Sequence, residues 1–143
     1  MNLNQLLSPE STQITSDVVI AHDEQGNPKV GFKIVGPDSK QYRTEQERQR
    51  KIGMKRRVHA GKKDPLKTEE GQAEFDRLTQ ENITAVAVAV TVGWFGFTDD
   101  AGAPLAFDAT KLPMLFANHV SLRDKIADAV YQEDAFLPKP ATV

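Results

Sequence analysis

Side chains that could catalyse a reaction or bind a metal are few and scattered in this sequence. The three histidines, His22, His59 and His119, lie far apart, and none has the HxxH or HExxH spacing that brings two imidazoles to one metal ion. Asp99 and Asp100 lack the alternating oxygen ligands and terminal glutamate of a calcium loop, so they predict a turn. The chain has no cysteine, which excludes disulfides, thiolate nucleophiles and cysteine metal ligands.

The glycine-rich stretch Gly93-Trp94-Phe95-Gly96-Phe97 does not have the spacing of a phosphate-binding loop, and its phenylalanines offer a phosphate no donor. No serine or threonine stands in a nucleophile-elbow motif. We therefore expect a protein that is not an enzyme and that needs no cofactor and no metal.

The charge of the chain is concentrated in one segment. Residues 40–67 contain eleven lysines and arginines and three acidic residues, a local net charge of +8 in a chain of net charge -2. Three interpretations are open: a solvated or intramolecular helix face, a contact for an acidic protein with Arg56 and Arg57 as candidates, or a nucleic-acid footprint. Only Tyr42 supplies an aromatic ring here, which argues against stacking on single-stranded nucleic acid.

These segments lie within a predicted single domain, 1–143, of α+β class, with an N-terminal β-hairpin followed by a mainly helical body. Turn-forming residues between two β-rich runs indicate the hairpin, and Ser39 or Asp38 can cap the helix that follows. The predicted segments are a loose tail at 1–15, the hairpin at 17–36, a basic helix at 38–60, a linker at 61–66 and the helical body at 67–137.

The longest apolar run, from Ile83 to Phe97, is shorter than the ~20 residues that a membrane span requires, so no membrane contact is expected. Residues 85–92 alternate alanine and valine and fit either a buried strand or a buried helix. Thr68 and the acidic residues after it favour one long helix over 68–92 that is buried all round in its second half and ends at Gly93.

After this helix, Trp94 is either a core anchor packed under the polar turn at 99–104 or an exposed hot spot for a protein partner. A short helix capped at Asp108 or Thr110 and a last helix over 122–132, with a capping box at Ser121, are predicted to follow. Their apolar residues exceed what two short helices need for their own packing. The candidate partner-binding residues are Trp94, Phe95, Leu112, Leu115, Phe116 and Ile126, together with Arg56 and Arg57.

Two stretches are similar to a known family. KVGFKIVGPDSKQYR, a strand followed by Gly-Pro-Asp-Ser and a Tyr-Arg on a basic helix, resembles the N-terminal part of the tail assembly chaperones of bacteriophages with long, non-contractile tails. The second half resembles their pattern of Gly-Trp-x-Gly, a polar turn, an aromatic residue and an apolar helix. The matching positions are Gly93, Trp94, Gly96, Gly102, Pro104, Phe107, Leu112 and Leu115, and the resemblance covers about residues 17–136.

The resemblance implies a non-enzymatic assembly factor that binds the tape measure protein, recruits tail tube subunits and leaves before the tail is complete. It implies a location in the host cytoplasm and absence from the mature virion. Self-association is left open. One alternative is a small structural protein of the virion, for head–tail joining or tail completion. A second is a nucleic-acid-binding regulator that acts through residues 40–67.

Overall fold

A computed structural model describes residues 1–61 and 64–139. The chain is α+β: a three-stranded antiparallel sheet in the order β1-β2-β3 packs against helices. The strands are β1 (Thr15–His22), β2 (Pro28–Val35) and β3 (Thr91–Phe95). The helices are α1 (Leu3–Leu7), α2 (Lys40–Ala60), α3 (Glu69–Val90), α4 (Leu112–Asn118) and α5 (Val120–Val130), with short 3₁₀ helices at Pro9–Gln13, Pro65–Lys67, Ala109–Lys111 and Glu133–Phe136.

The sheet is built around β2, whose alternating side chains separate a core face from an outer face. Phe32 and Ile34 are fully buried, whereas Lys33, which points the other way, pairs with Asp17 of β1 at 3.2 Å. The β1–β2 hairpin is confirmed, with Asp23 accepting backbone hydrogen bonds in its turn. On the other side of β2, Phe32 lies opposite Trp94 of β3.

Helices α2 and α3 run side by side as an antiparallel pair, here called the arm. Ser39 caps α2 through the Tyr42 amide, as predicted, and Thr68 caps α3 through the Gly71 amide. Tyr42 is the only buried residue of α2, which agrees with a largely solvated basic helix. Of the linker, residues 62 and 63 lie outside the described residues, and Pro65–Lys67 forms a 3₁₀ turn.

The C-terminal helices close the core against the sheet. Phe116 of α4 lies edge-on to Phe32 with ring centroids 6.0 Å apart, and Ile126 and Val130 of α5 are fully buried. Phe136 folds back and covers Gly36, where an added Cβ would lie 2.4 Å from the phenylalanine ring. The core therefore lies between the inner face of β2 and helices α3, α4 and α5.

Several predicted boundaries are wrong, each for a local reason. Helix α3 ends at Val90 rather than at Gly93, because Thr91 pairs with Ile34 and continues as strand β3. Its apolar half is not buried all round, since only Ala87 and Val90 lose all contact with solvent.

Two further predictions are corrected at other helices. Residues 1–15 are not an irregular tail but contain α1, which is N-capped by a capping box of Asn2 and Gln5. Helix α5 begins at Val120, and its N-cap is His119 without a side-chain bond, so Ser121 forms no capping box.

Candidate functional site

An open groove runs along α3 between the other two long helices. Phe75, Thr79, Ile83 and Val86 of α3 form its floor, and Gln49 of α2 lies on one side. On the other side, α5 contributes the residues Val120, Arg123, Asp124, Ala127, Asp128 and, just after its end, Tyr131. The groove has a volume of about 740 Å³. Its open shape and its lining by three helices suit the binding of a helical protein segment.

The groove exposes large apolar side chains from different helices. Phe75 is 51 % exposed, Val120 45 % and Tyr131 62 %. Isolated exposed hydrophobic residues are common on protein surfaces, but apolar residues that converge on one concave surface mark a contact site. Phe75, Val120 and Tyr131 are not among the contact residues predicted from the sequence. Helical spacing puts Phe75 on an apolar face of α3, but it does not show that this face stays exposed near the start of the helix.

Arg123 of α5 links the wall of the groove to its floor on α3 through hydrogen bonds. The Arg123 guanidinium, which is almost fully buried, donates to the Gln80 side-chain oxygen at 2.7 Å and to the Thr84 hydroxyl at 3.3 Å. It also donates to the Asp124 carboxylate at 2.8 Å. Because these bonds satisfy a charge that is costly to bury, they hold α5 at a defined distance from α3 and so keep the groove open.

Tyr42 and Tyr131 lie close together at the end of the groove, where α2 begins. Burial, and then the nearby Tyr131 hydroxyl, raise the pKa of Tyr42 to about 12, while a hydrogen bond from the Gln46 amide opposes this rise. The folded protein therefore holds a proton that the unfolded chain releases above about pH 10. The arrangement places a neutral, hydrogen-bonded phenol next to the exposed Tyr131.

We predict that the Tyr42 contribution to stability is complete below pH 10 and falls by up to ~2–3 kcal/mol between pH 10 and about 12. Urea unfolding monitored by circular dichroism across this range measures the loss. The Tyr42→Phe variant has no phenol to titrate, so its stability should fall less steeply over the same interval. Equal slopes for the two proteins would show that Tyr42 does not cause the alkaline loss.

The predicted contact residues divide into core and surface. Leu112, Phe116 and Ile126 have no exposed surface, so for these residues the prediction of a partner contact is corrected: they form the core instead. Leu115 is partly buried against that core.

Arg56 and Arg57 are exposed on α2. A hydrogen bond from Arg77 lowers the pKa of the Glu74 carboxyl, and the positive charge of the nearby Arg56 adds to this lowering.

Trp94 agrees with the core-anchor interpretation. It is partly buried against the core, its indole N–H donates to the Leu105 carbonyl at 2.9 Å, and its ring meets Phe97 and Phe107 edge-on. Trp94 therefore packs the polar turn against the end of the sheet. Within that turn, Asp99 accepts two backbone hydrogen bonds.

The next residue, Phe95, lies on the outer face of the sheet, with the Lys33 ammonium 5.5 Å from its ring centroid.

The described residues contain no cluster of three or more histidine, aspartate or glutamate side chains placed to bind a metal ion. Across residues 1–61 and 64–139, no helix combines the length and the apolar character needed to cross a bilayer.

Comparisons of this chain with models of known protein families, with curated proteins and with solved structures find no match.

Proposed function

We propose that the protein is a non-enzymatic chaperone of bacteriophage tail assembly, which binds helical segments of the tape measure protein and recruits tail tube subunits. The observation that carries the proposal is the open groove between α2, α3 and α5, in which Phe75, Val120 and Tyr131 are exposed above a mostly apolar floor. A surface of this shape suits the capture of an amphipathic helix by its apolar stripe. The resemblance of the sequence motifs around Gly93, Trp94, Gly96 and Gly102 to the tail assembly chaperones supports the same role.

The test of this function is co-expression with the tape measure protein encoded in the same genome. The proposal expects the tape measure protein to stay soluble and to co-purify with this chain, and purified mature particles to lack the chain. Detection of the chain in finished particles, without effect on the solubility of the tape measure protein, would replace the proposal with a structural role in the virion.

The basic helix α2 gives a second measurement on the same complex. Reversal of Arg56 and Arg57 to glutamate should weaken binding of the tape measure protein several-fold at low salt and less at high salt, because exposed charges are screened over ~10 Å at 0.1 M. Folding should change little, since both side chains are exposed. The charge-matched control reverses two exposed lysines on other parts of the chain, Lys29 and Lys139.

Equal binding of the tape measure protein by the two double variants would show that α2 is a solvated helix whose Arg56 and Arg57 take no part in binding. Retention of the wild-type chain on duplex DNA, with a steep loss as salt rises, would favour the nucleic-acid-binding alternative instead.

A further inference from the structure

The groove has the dimensions of a missing helix. From Phe75 to Val86 its floor extends about 16 Å, at ~1.5 Å per residue, which is three turns of helix. Helices α2 and α5 flank α3 on its two sides, so a fourth helix laid on the floor would contact all three. The placement of a helix in this groove rests on the proposed function only for the identity of the bound protein.

The two edges of the groove carry opposite charge. On the α2 side, a shallow depression that shares Gln49 and Asn82 with the groove is lined by Arg43, Arg50 and Glu47. Glu47 pairs with Arg50, and Arg43 makes a longer contact of 3.5 Å with Asp38, which precedes α2 and does not line the depression. Among the lining residues, two arginines against one glutamate leave one positive charge in excess, and α2 as a whole carries eight lysines and arginines against two glutamates. This edge is therefore positive, and both arginine side chains are more than half exposed.

On the α5 side, the groove is lined by Asp124 and Asp128. Asp124 pairs with Arg123, whose guanidinium is turned inward onto Gln80 and Thr84. Two aspartates against this one arginine leave one negative charge in excess. Each excess is small, so apolar contact with the floor supplies most of the affinity and the edges decide orientation.

We propose that the groove binds one amphipathic helix of about three turns, with its apolar stripe on α3, acidic residues along the edge that faces α2 and basic residues along the edge that faces α5. A half-turn about the normal to the floor exchanges the two edges of such a helix and reverses its chain direction. The charges of the groove therefore select one of the two directions in which the helix can lie.

The probes are two designed 14-residue peptides of identical composition. Both have leucines at i, i+3, i+4 and i+7, glutamates on one edge and lysines on the other, and the second peptide has the two edges exchanged. A nitroxide at the N-terminus of each peptide broadens the amide resonances of the nearest residues in the isotope-labelled full chain. We expect both peptides to bind in the groove in opposite directions, so that one broadens residues around Phe75 and the other residues around Val86.

Variants of the chain show whether the groove and its charges are responsible. Phe75→Asp places a carboxylate on the apolar floor and should weaken binding at least tenfold. Met114→Asp, a control at a 72 % exposed apolar residue of α4, should leave binding within twofold. Arg50→Glu combined with Asp128→Lys should reverse the direction of both peptides.

The inference would be overturned by no binding of either peptide, by broadening that maps outside the groove, or by the same direction for both peptides. Self-association of the wild-type chain in sedimentation that Phe75→Asp abolishes would assign the groove to a second copy of the chain and would also overturn it. Because the peptides are synthetic, these results do not depend on the tape measure protein. Directional peptide binding without co-purification would reject the proposed function alone.

Discussion

The Gly96→Ala variant should lose ~2–5 kcal/mol of folding free energy, which combines the strain of a left-handed residue with that of overpacking. Gly96 follows β3 with a φ of 82°, a region that favours glycine. A Cβ at this position would lie 2.0 Å from the Lys29 carbonyl oxygen and 2.9 Å from the Val30 Cα. Both are backbone atoms of β2, so the clash is relieved only if the two strands move apart. Urea unfolding monitored by circular dichroism measures the loss.

The Gly102→Ala variant is the matched control. Gly102 has nearly the same φ, 83°, but a Cβ there would meet no atom within 4 Å. It should therefore lose only the ~1–2 kcal/mol of a left-handed non-glycine residue. Equal losses of folding free energy for the two variants would mean that the close packing of the β2 backbone against Gly96 adds nothing to the cost of the substitution.

The Phe116→Ala variant should lose ~3–5 kcal/mol, the usual cost of truncating a fully buried phenylalanine. The Phe116 ring lies edge-on to Phe32 across the interface between α4 and the sheet, so its removal leaves a cavity at the centre of the core. Natural domains are stable by only ~5–15 kcal/mol, so much of the total stability is at risk. Chemical denaturation of both proteins measures the difference.

Met114→Ala, two residues earlier on the same helix, should change stability by no more than ~0.5 kcal/mol, because Met114 is 72 % exposed. If Phe116→Ala unfolds like the wild type but no longer binds the tape measure protein, Phe116 is a contact residue after all. The prediction of a partner-binding Phe116 would then replace the assignment to the core.

Local sequence patterns predicted the elements that depend on local interactions. The turn formers between β1 and β2 and the caps at Ser39 and Thr68 act on residues only a few positions away, and each stands where it was predicted. Strand β3 was missed because Thr91 is extended only through its pairing with Ile34, far away in the chain. Residues 85–92 carry both helical and strand signals, and tertiary pairing divides them at Val90.

The candidate groove was harder to predict than the fold. Helical periodicity identifies an apolar face, but it does not identify what covers that face. Phe116 of α4 and Ile126 of α5 are covered by the rest of the core, whereas Phe75 of α3 stays half exposed. Distinguishing the two required the relative positions of α2, α3 and α5.

The arm also bears on the rate at which the sheet forms. Strand β2 pairs with β3, and residues 36–90 connect them; closing so long a loop in one step is entropically costly and slow. Within the arm, however, the start of α2 lies beside Ala89, one residue before the end of α3. Prior formation of this helical pair would shorten the effective loop to a few residues. We therefore expect helix-weakening substitutions in the arm to slow refolding more than they speed unfolding, which stopped-flow kinetics in urea can measure.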